Sequence, residues 1–202
     1  MSREDHSWVR LSGVIGIVAP IIAFTCILLA ISSYPSFNWT DNALSDLGVK
    51  DGITAPLFNY GLIASGVSTL VFAAGLFKFL REETTGRMGA FILGSATIAL
   101  VSIGTFPENA RPTHYYASVA FFVLCPIAML FFAVAFMRAK KPQIGVFTLS
   151  TAIVAAVPWV VQFVFPYVSN VAVPETISAL SAAAWSMGVG FKMLSRAARP
   201  RG

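Results

Sequence analysis

The side chains able to do acid–base, nucleophilic or ligating chemistry fall into three short polar stretches between long apolar runs. Residues 33–52 hold Asp41, Asn42, Ser45 and Asp46; residues 106–116 hold Glu108, Arg111 and His114; Glu175 closes the third stretch at 166–175. Carboxylates, an imidazole and a hydroxyl in such a set allow three kinds of chemistry. Oxygen and nitrogen donors could ligate a divalent cation, with Asp46, Glu108 and His114 as candidate metal ligands. The same groups could serve hydrolysis as acid and base, with Ser45, Asp46, Glu108 and His114 as catalytic candidates and Ser45 a nucleophile or orienting group. Hydrogen bonds and charge could instead recognise a polar ligand, through Asp41, Asn42, Ser45, Asp46, Asn59, Glu108, Arg111, His114 and Glu175. No cofactor is expected; a divalent metal is the one addition this set could hold. Plainer roles compete at each position, because Ser, Asp and Gly also build turns, and Glu108 stands three residues from Arg111, within reach of a local ion pair.

The elements that must position these groups are membrane helices. The chain has 202 residues, 56% hydrophobic and 11% charged, with a mean hydropathy of +0.75. Soluble domains carry about 25% charged residues, so there is too little charge here to cover a water-facing surface. A bilayer core about 30 Å thick needs roughly 20 apolar residues per helix. Six segments meet that need, at about 11–33, 56–80, 88–106, 115–137, 145–165 and 176–194. The expected fold is therefore all-α, a polytopic transmembrane bundle of six helices, with short tails at 1–10 and 195–202. The first span exceeds the usual length of a signal h-region and no A-x-A site follows it, so it is expected to be retained.

Charge orients the bundle. Of the 14 basic residues, only Lys50 and Arg111 fall on the side of the three polar stretches. The others lie in the opposite loops and the tails, which places both termini in the cytoplasm by the positive-inside rule. The expected location is the plasma membrane, multi-pass. The net charge of +5 then reflects topology and anionic headgroups rather than nucleic acid.

Residues 40–47 are expected to form a short helix capped by Thr40 or Asp41 and ended by Gly48. Asn59, one turn into the second span, could reach the polar cluster; Gln162 in the fifth is expected to bond between helices. Pro20, Pro126 and Pro158 lie within spans and would kink them. Ala182, Ser186 and Gly190 recur every four residues as a small-residue contact face, through which helices of this chain or of a second copy could pack. Cys26 and Cys125 read as small core residues. Asn38-Trp39-Thr40 matches the N-glycosylation pattern. No acidic or basic residue sits at mid-span, against a proton relay, and no nucleotide loop, His-Glu-x-x-His pair or Gly-x-Ser-x-Gly elbow is present.

Asn42-Ala43-Leu44-Ser45-Asp46-Leu47-Gly48 after the first span, Asn59 in the second, and Gly104-Thr105-Phe106-Pro107-Glu108 followed by His114 and Phe121-Phe122 together resemble the DUF998 family of prokaryotic membrane proteins. The resemblance covers essentially the whole chain. A more distant likeness links the pattern to the Frag1/DRAM/Sfk1 group of six-span proteins, which has an Ile-Ser-Asp-x-Gly element in its first outer loop and members tied to lipid handling. The resemblance implies a six-helix membrane fold and an outer polar cluster at Ser45, Asp46, Gly48, Asn59, Glu108 and His114; it supplies no reaction. Three functions stay open: a binder of membrane lipid or another polar ligand at the outer cluster, a metal-assisted hydrolase or transferase acting on a lipid headgroup, and a small-solute transporter.

Overall fold

The computed structural model describes residues 3–197; Arg199 and Arg201, in the basic tail expected at 195–202, lie outside the described residues. Six α-helices follow one another: α1 (Arg3–Ser32), α2 (Thr54–Phe79), α3 (Thr84–Thr105), α4 (Thr113–Arg138), α5 (Pro142–Val164) and α6 (Ala172–Ala197). All six contain stretches long and apolar enough to cross a membrane. The elements extend past the expected spans, most clearly α1, which begins at Arg3 rather than near 11. Glu4 and Asp5 in its first turn suit the positive end of the helix dipole, so the polar lead-in continues the helix.

Each helix packs on its neighbour in sequence, and α6 returns to α1, so the bundle is a closed ring. Small residues set the closing seam. A Cβ added at Gly190 would stand 2.6 Å from the Gly13 carbonyl oxygen, so bulk there would push α1 and α6 apart. Ser186 Oγ donates to the Gly16 carbonyl at 2.6 Å in the same seam. The Ala182–Ser186–Gly190 stripe thus packs inside the chain, with Ser186 and Gly190 against α1.

Two apolar clusters fill the ring. Toward the termini, Phe72, Leu76, Met129, Phe132, Trp185 and Met193 are fully buried, with Trp185 stacked on Phe132 at 5.3 Å between centroids. At the other end Ile27, Phe58, Leu62 and Ile103 surround Leu44 and Leu47 of the first long loop. Outward-facing side chains are apolar as well: Phe163 is 79% exposed and Phe91 75%, as expected where lipid is the solvent.

The loop segment differs from its expected form. The short helix is a 3₁₀ helix at Leu44–Val49, with Ala43 at its N-cap. Thr40 cannot cap it, because residues 38–42 close their own turn. The Thr40 N–H donates to Asn38 Oδ1 at 2.9 Å and the Asn42 N–H to the Asn38 carbonyl at 3.0 Å. Short polar side chains bonding to nearby backbone compete with helix in this way. Gly48 lies within the 3₁₀ helix instead of ending it.

Candidate functional site

Asp46 anchors this end of the molecule. Its Oδ2 accepts from Asn42 Nδ2 at 2.7 Å and from the Ala43 N–H at 3.1 Å, the second bond capping the loop helix from inside its first turn. Asn42 and Asp46 therefore share a face, as their spacing implies, whereas Asp41 contributes its carbonyl oxygen, which accepts from Asn170 Nδ2 at 3.2 Å. That bond joins the first long loop to the third. The Asn170 N–H also donates to the Thr40 carbonyl at 2.9 Å, and the Ala172 N–H to that of Asn42 at 3.0 Å.

The carboxyl of Asp46 is also hydrogen-bonded to that of Glu108, from the second loop. Two carboxyls can bond only with a proton between them, and the surroundings decide which one holds it. For Asp46, burial pushes upward, but the bonds with Glu108, Asn42 and the Ala43 N–H, with the charge of Lys50, prevail and hold it below its ordinary value. For Glu108, burial and then the bond and negative charge of Asp46 raise it, with Arg111 opposing. Of the two, Glu108 is thus the carboxyl that keeps a proton to the higher pH, and Asp46 the one that ionises first. Arg111 Nη2 donates to Glu108 Oε1 at 3.0 Å from an exposed position.

Glu175 is the third carboxyl to converge here. It stands in the first turn of α6, is only 6% exposed, and its Oε2 accepts from the Leu44 N–H at 2.7 Å. It lies close to both Asp46 and Glu108. His114 is 5% exposed, and its Nδ1 lies 2.7 Å from the Phe106 carbonyl oxygen. A carbonyl only accepts, so Nδ1 carries a proton, and in that tautomer of imidazole the lone pair is on Nε2.

Asn59 and Gly48 hold the loop helix in place. Asn59 Nδ2 donates to the Gly48 carbonyl at 2.9 Å, and a Cβ at position 48 would stand 2.6 Å from Asn59 Oδ1. Behind it, a Cβ at Gly104 would stand 2.5 Å from the Asn59 carbonyl oxygen. Asn59 is therefore a strut between α2, α3 and the loop helix.

Two cavities meet at this cluster. A small inner chamber of about 120 Å³ lies within the ring, below the loop helix, walled mainly by apolar side chains such as Phe24, Leu62 and Leu100. A larger groove of about 670 Å³ runs along α4 and α5. Near the α4–α5 loop the helices stay close, since a Cβ at Gly145 would come within 2.8 Å of Met137 Cγ. Beyond that contact the groove opens between them. Its polar end holds Ser45, Glu108, Arg111, His114, Asn170 and Glu175. Its length is walled by apolar groups, among them Phe122, Val123, Ile127, Ile153, Trp159 and Phe163. Several of these are exposed on the outside of the bundle, including Val123, Ile153 and Phe163, so the groove opens toward lipid. Ser45, Ser118, Phe122 and Glu175 line both cavities and form the wall between them.

Of the residues singled out in the sequence, Ser45, Glu108, Arg111, His114 and Glu175 line the groove. Asn42 and Asp46 stand behind them, Asn59 braces from below, and Asp41 stays on the exposed side of the loop. Asp46, Glu108 and His114 do not form a ligand set: among the described residues no three His, Cys, Asp or Glu side chains are grouped to hold a metal ion. The two acids bond each other, and His114 turns Nδ1 to the backbone. Gln162 does not bridge helices; it secures the third loop, donating from Nε2 to the Val168 carbonyl at 2.9 Å. The groove walls on α4 and α5 carry no signal in the sequence, because a Phe or Val facing a groove has the same pattern as one facing acyl chains.

A family model described as a protein of unknown function, DUF998, matches residues 17–192. No curated protein matches the chain, and no solved structure does.

Proposed function

The chain belongs to the DUF998 family, and from that premise we propose that this integral membrane protein binds a membrane lipid in the α4–α5 groove, on the extracytoplasmic side. The observation that carries the proposal is the groove's division. Side chains able to hydrogen-bond or carry charge gather at one end, and apolar walls open to the bilayer run along the rest. An amphipathic ligand lying parallel to the helices matches both parts, whereas a small polar solute would leave most of the apolar wall without a partner. The extracytoplasmic assignment rests on the basic residues of the opposite loops.

The test is lipid retention by native mass spectrometry of the detergent-purified protein. Wild type is expected to carry bound phospholipid, and Ala156→Phe, which fills the groove between α4 and α5, is expected to lose it while remaining folded. Absence of lipid from the wild type, or equal retention by the variant, would sink the proposal.

One observation favours a second, enzymatic reading. Glu108, raised above the ordinary glutamate value by burial and by Asp46, lines the polar end of the groove, where a general acid acting on a headgroup would be needed. Under this reading the protein releases headgroup from a labelled phospholipid and Glu108→Gln stops the release. No release by wild type would dismiss it.

A further inference from the structure

Glu175 is buried, faces both cavities, and has no ion-pair partner among the described residues. A buried carboxyl gives up its charge unless a cation or further hydrogen bonds meet it, and the hydrogen bond from the Leu44 N–H engages only Oε2. We propose that the polar end of the groove is a subsite for an ammonium group, so that the lipid it takes is zwitterionic and amine-bearing, of the phosphatidylethanolamine type, with its ammonium between Glu175 and His114. This rests on the lipid-binding function proposed above and narrows it.

Charge argues for it first. The groove's polar end presents the carboxyls of Glu108 and Glu175, with ionised Asp46 directly behind Glu108. Its one permanent cation is Arg111, which is already bonded to Glu108. A headgroup with only negative charge would place its phosphate beside three acidic side chains. An ammonium meets a counter-charge there, and the phosphate next to it is left within reach of the exposed Arg111 guanidinium.

Two nitrogens supply an independent argument. His114 is 5% exposed and lines the groove; with Nδ1 engaged by Phe106, Nε2 has no partner among the described residues and offers a lone pair to a donor. Trp159 also lines the groove, and its Nε1 is buried with no hydrogen-bond acceptor. The groove therefore asks for a donor at its polar end and an acceptor further along its wall. An ammonium followed by phosphate and ester oxygens presents them in that order. A quaternary ammonium such as choline has no N–H to give, so the primary amine is selected.

The experiment uses the full-length protein in detergent and three short-chain probes: dihexanoyl-phosphatidylethanolamine, -phosphatidylcholine and -phosphatidylglycerol. Glycerophosphoethanolamine, the headgroup without chains, is a fourth. Binding is read by titration calorimetry. The ethanolamine lipid is expected to bind about tenfold tighter than either other lipid, a difference of the size of one well-placed charged hydrogen bond. Glycerophosphoethanolamine is expected to compete only weakly, since it cannot use the apolar wall. Glu175→Gln keeps an acceptor for Leu44 and removes the group that can ionise against an ammonium; it is expected to erase the tenfold preference for the ethanolamine lipid, and a preference left intact would overturn the subsite. Equal or tighter binding of the glycerol lipid by wild type overturns the ammonium subsite and leaves lipid binding standing. Failure of all three lipids to bind overturns the lipid-binding function itself, and full competition by the chainless headgroup overturns the groove as the chain's seat.

Discussion

The acid pair Asp46–Glu108 brings together two loops that are distant in sequence. Asp46 receives two further hydrogen bonds from Asn42 and Ala43. Bonds to a charged acceptor contribute about 1.5–3 kcal/mol each, and partial exposure reduces that. Asp46→Ala should therefore lower unfolding stability by about 2 kcal/mol, measured by denaturation in detergent; a loss near zero would mean the loop is held elsewhere. The pair also makes stability depend on pH, with a sign for each partner. Glu108 is raised, so its contribution is complete below the ordinary glutamate value of 4.5 and is lost as pH rises through its higher folded value. Asp46 is lowered, so its contribution is complete above 3.8 and is lost as pH falls through its lower folded value. Thermal unfolding of wild type against Glu108→Gln, whose amide keeps donating to Asp46 at any pH, should show the wild type losing ground as pH is raised above the ordinary glutamate range. Parallel curves would contradict the shared proton.

The loop helix is a lid whose seat depends on what stands beneath it. Leu44 and Leu47 plug the ring, and the Asn59 side chain meets Gly48 from α2. Gly48 and Gly104 are both filled positions once a methyl is added, but they differ in what must yield. At 48 the obstacle is the Asn59 side-chain amide, which can rotate; at 104 it is the Asn59 backbone carbonyl. Overpacking against fixed atoms costs about 1–3 kcal/mol. Gly104→Ala should thus cost more stability than Gly48→Ala, and Gly48→Ala should instead weaken the Asn59–Gly48 hydrogen bond and loosen the lid. Limited proteolysis within 33–52 checks the second effect, since a lid no looser than wild type would contradict it. The element itself was only half legible in sequence. Capping by Thr40 or Asp41 and an end at Gly48 predict a short helix over 40–47, but its start at Leu44 depends on the competing turn at 38–42. Local propensity could not rank those two uses of the same backbone groups.

At the scale of the whole molecule, the ring of six helices has one plain end and one chemically furnished end. At the plain end Asp5 bridges to Lys78 at 3.0 Å and to Arg81 at 3.6 Å, tying α1 to α2. If the basic loops face the cytoplasm, Asp51→Cys should react with a membrane-impermeant maleimide on intact cells, and Lys140→Cys only after permeabilisation. Cys26 and Cys125 lie within helices, so they give little background. The reverse pattern would invert the molecule and move the groove's polar end to the cytoplasmic face.

Composition and hydropathy alone determined that the chain is a six-helix membrane protein, because a bilayer imposes a length and an apolarity that each segment must meet by itself. The types of residue in the polar stretches were equally readable, since charge avoids hydrocarbon and collects where the chain leaves it. Only the tertiary structure decided which of them meet. Asp46 pairs with Glu108 and Glu175 pins Leu44 because the ring closes α6 against α1 and brings three loops to one point. The same closure separates Asp41 from the groove and makes Asn59 a brace. The groove along α4 and α5 had no sequence signature, because its shape arises from the space between two helices and not from either one.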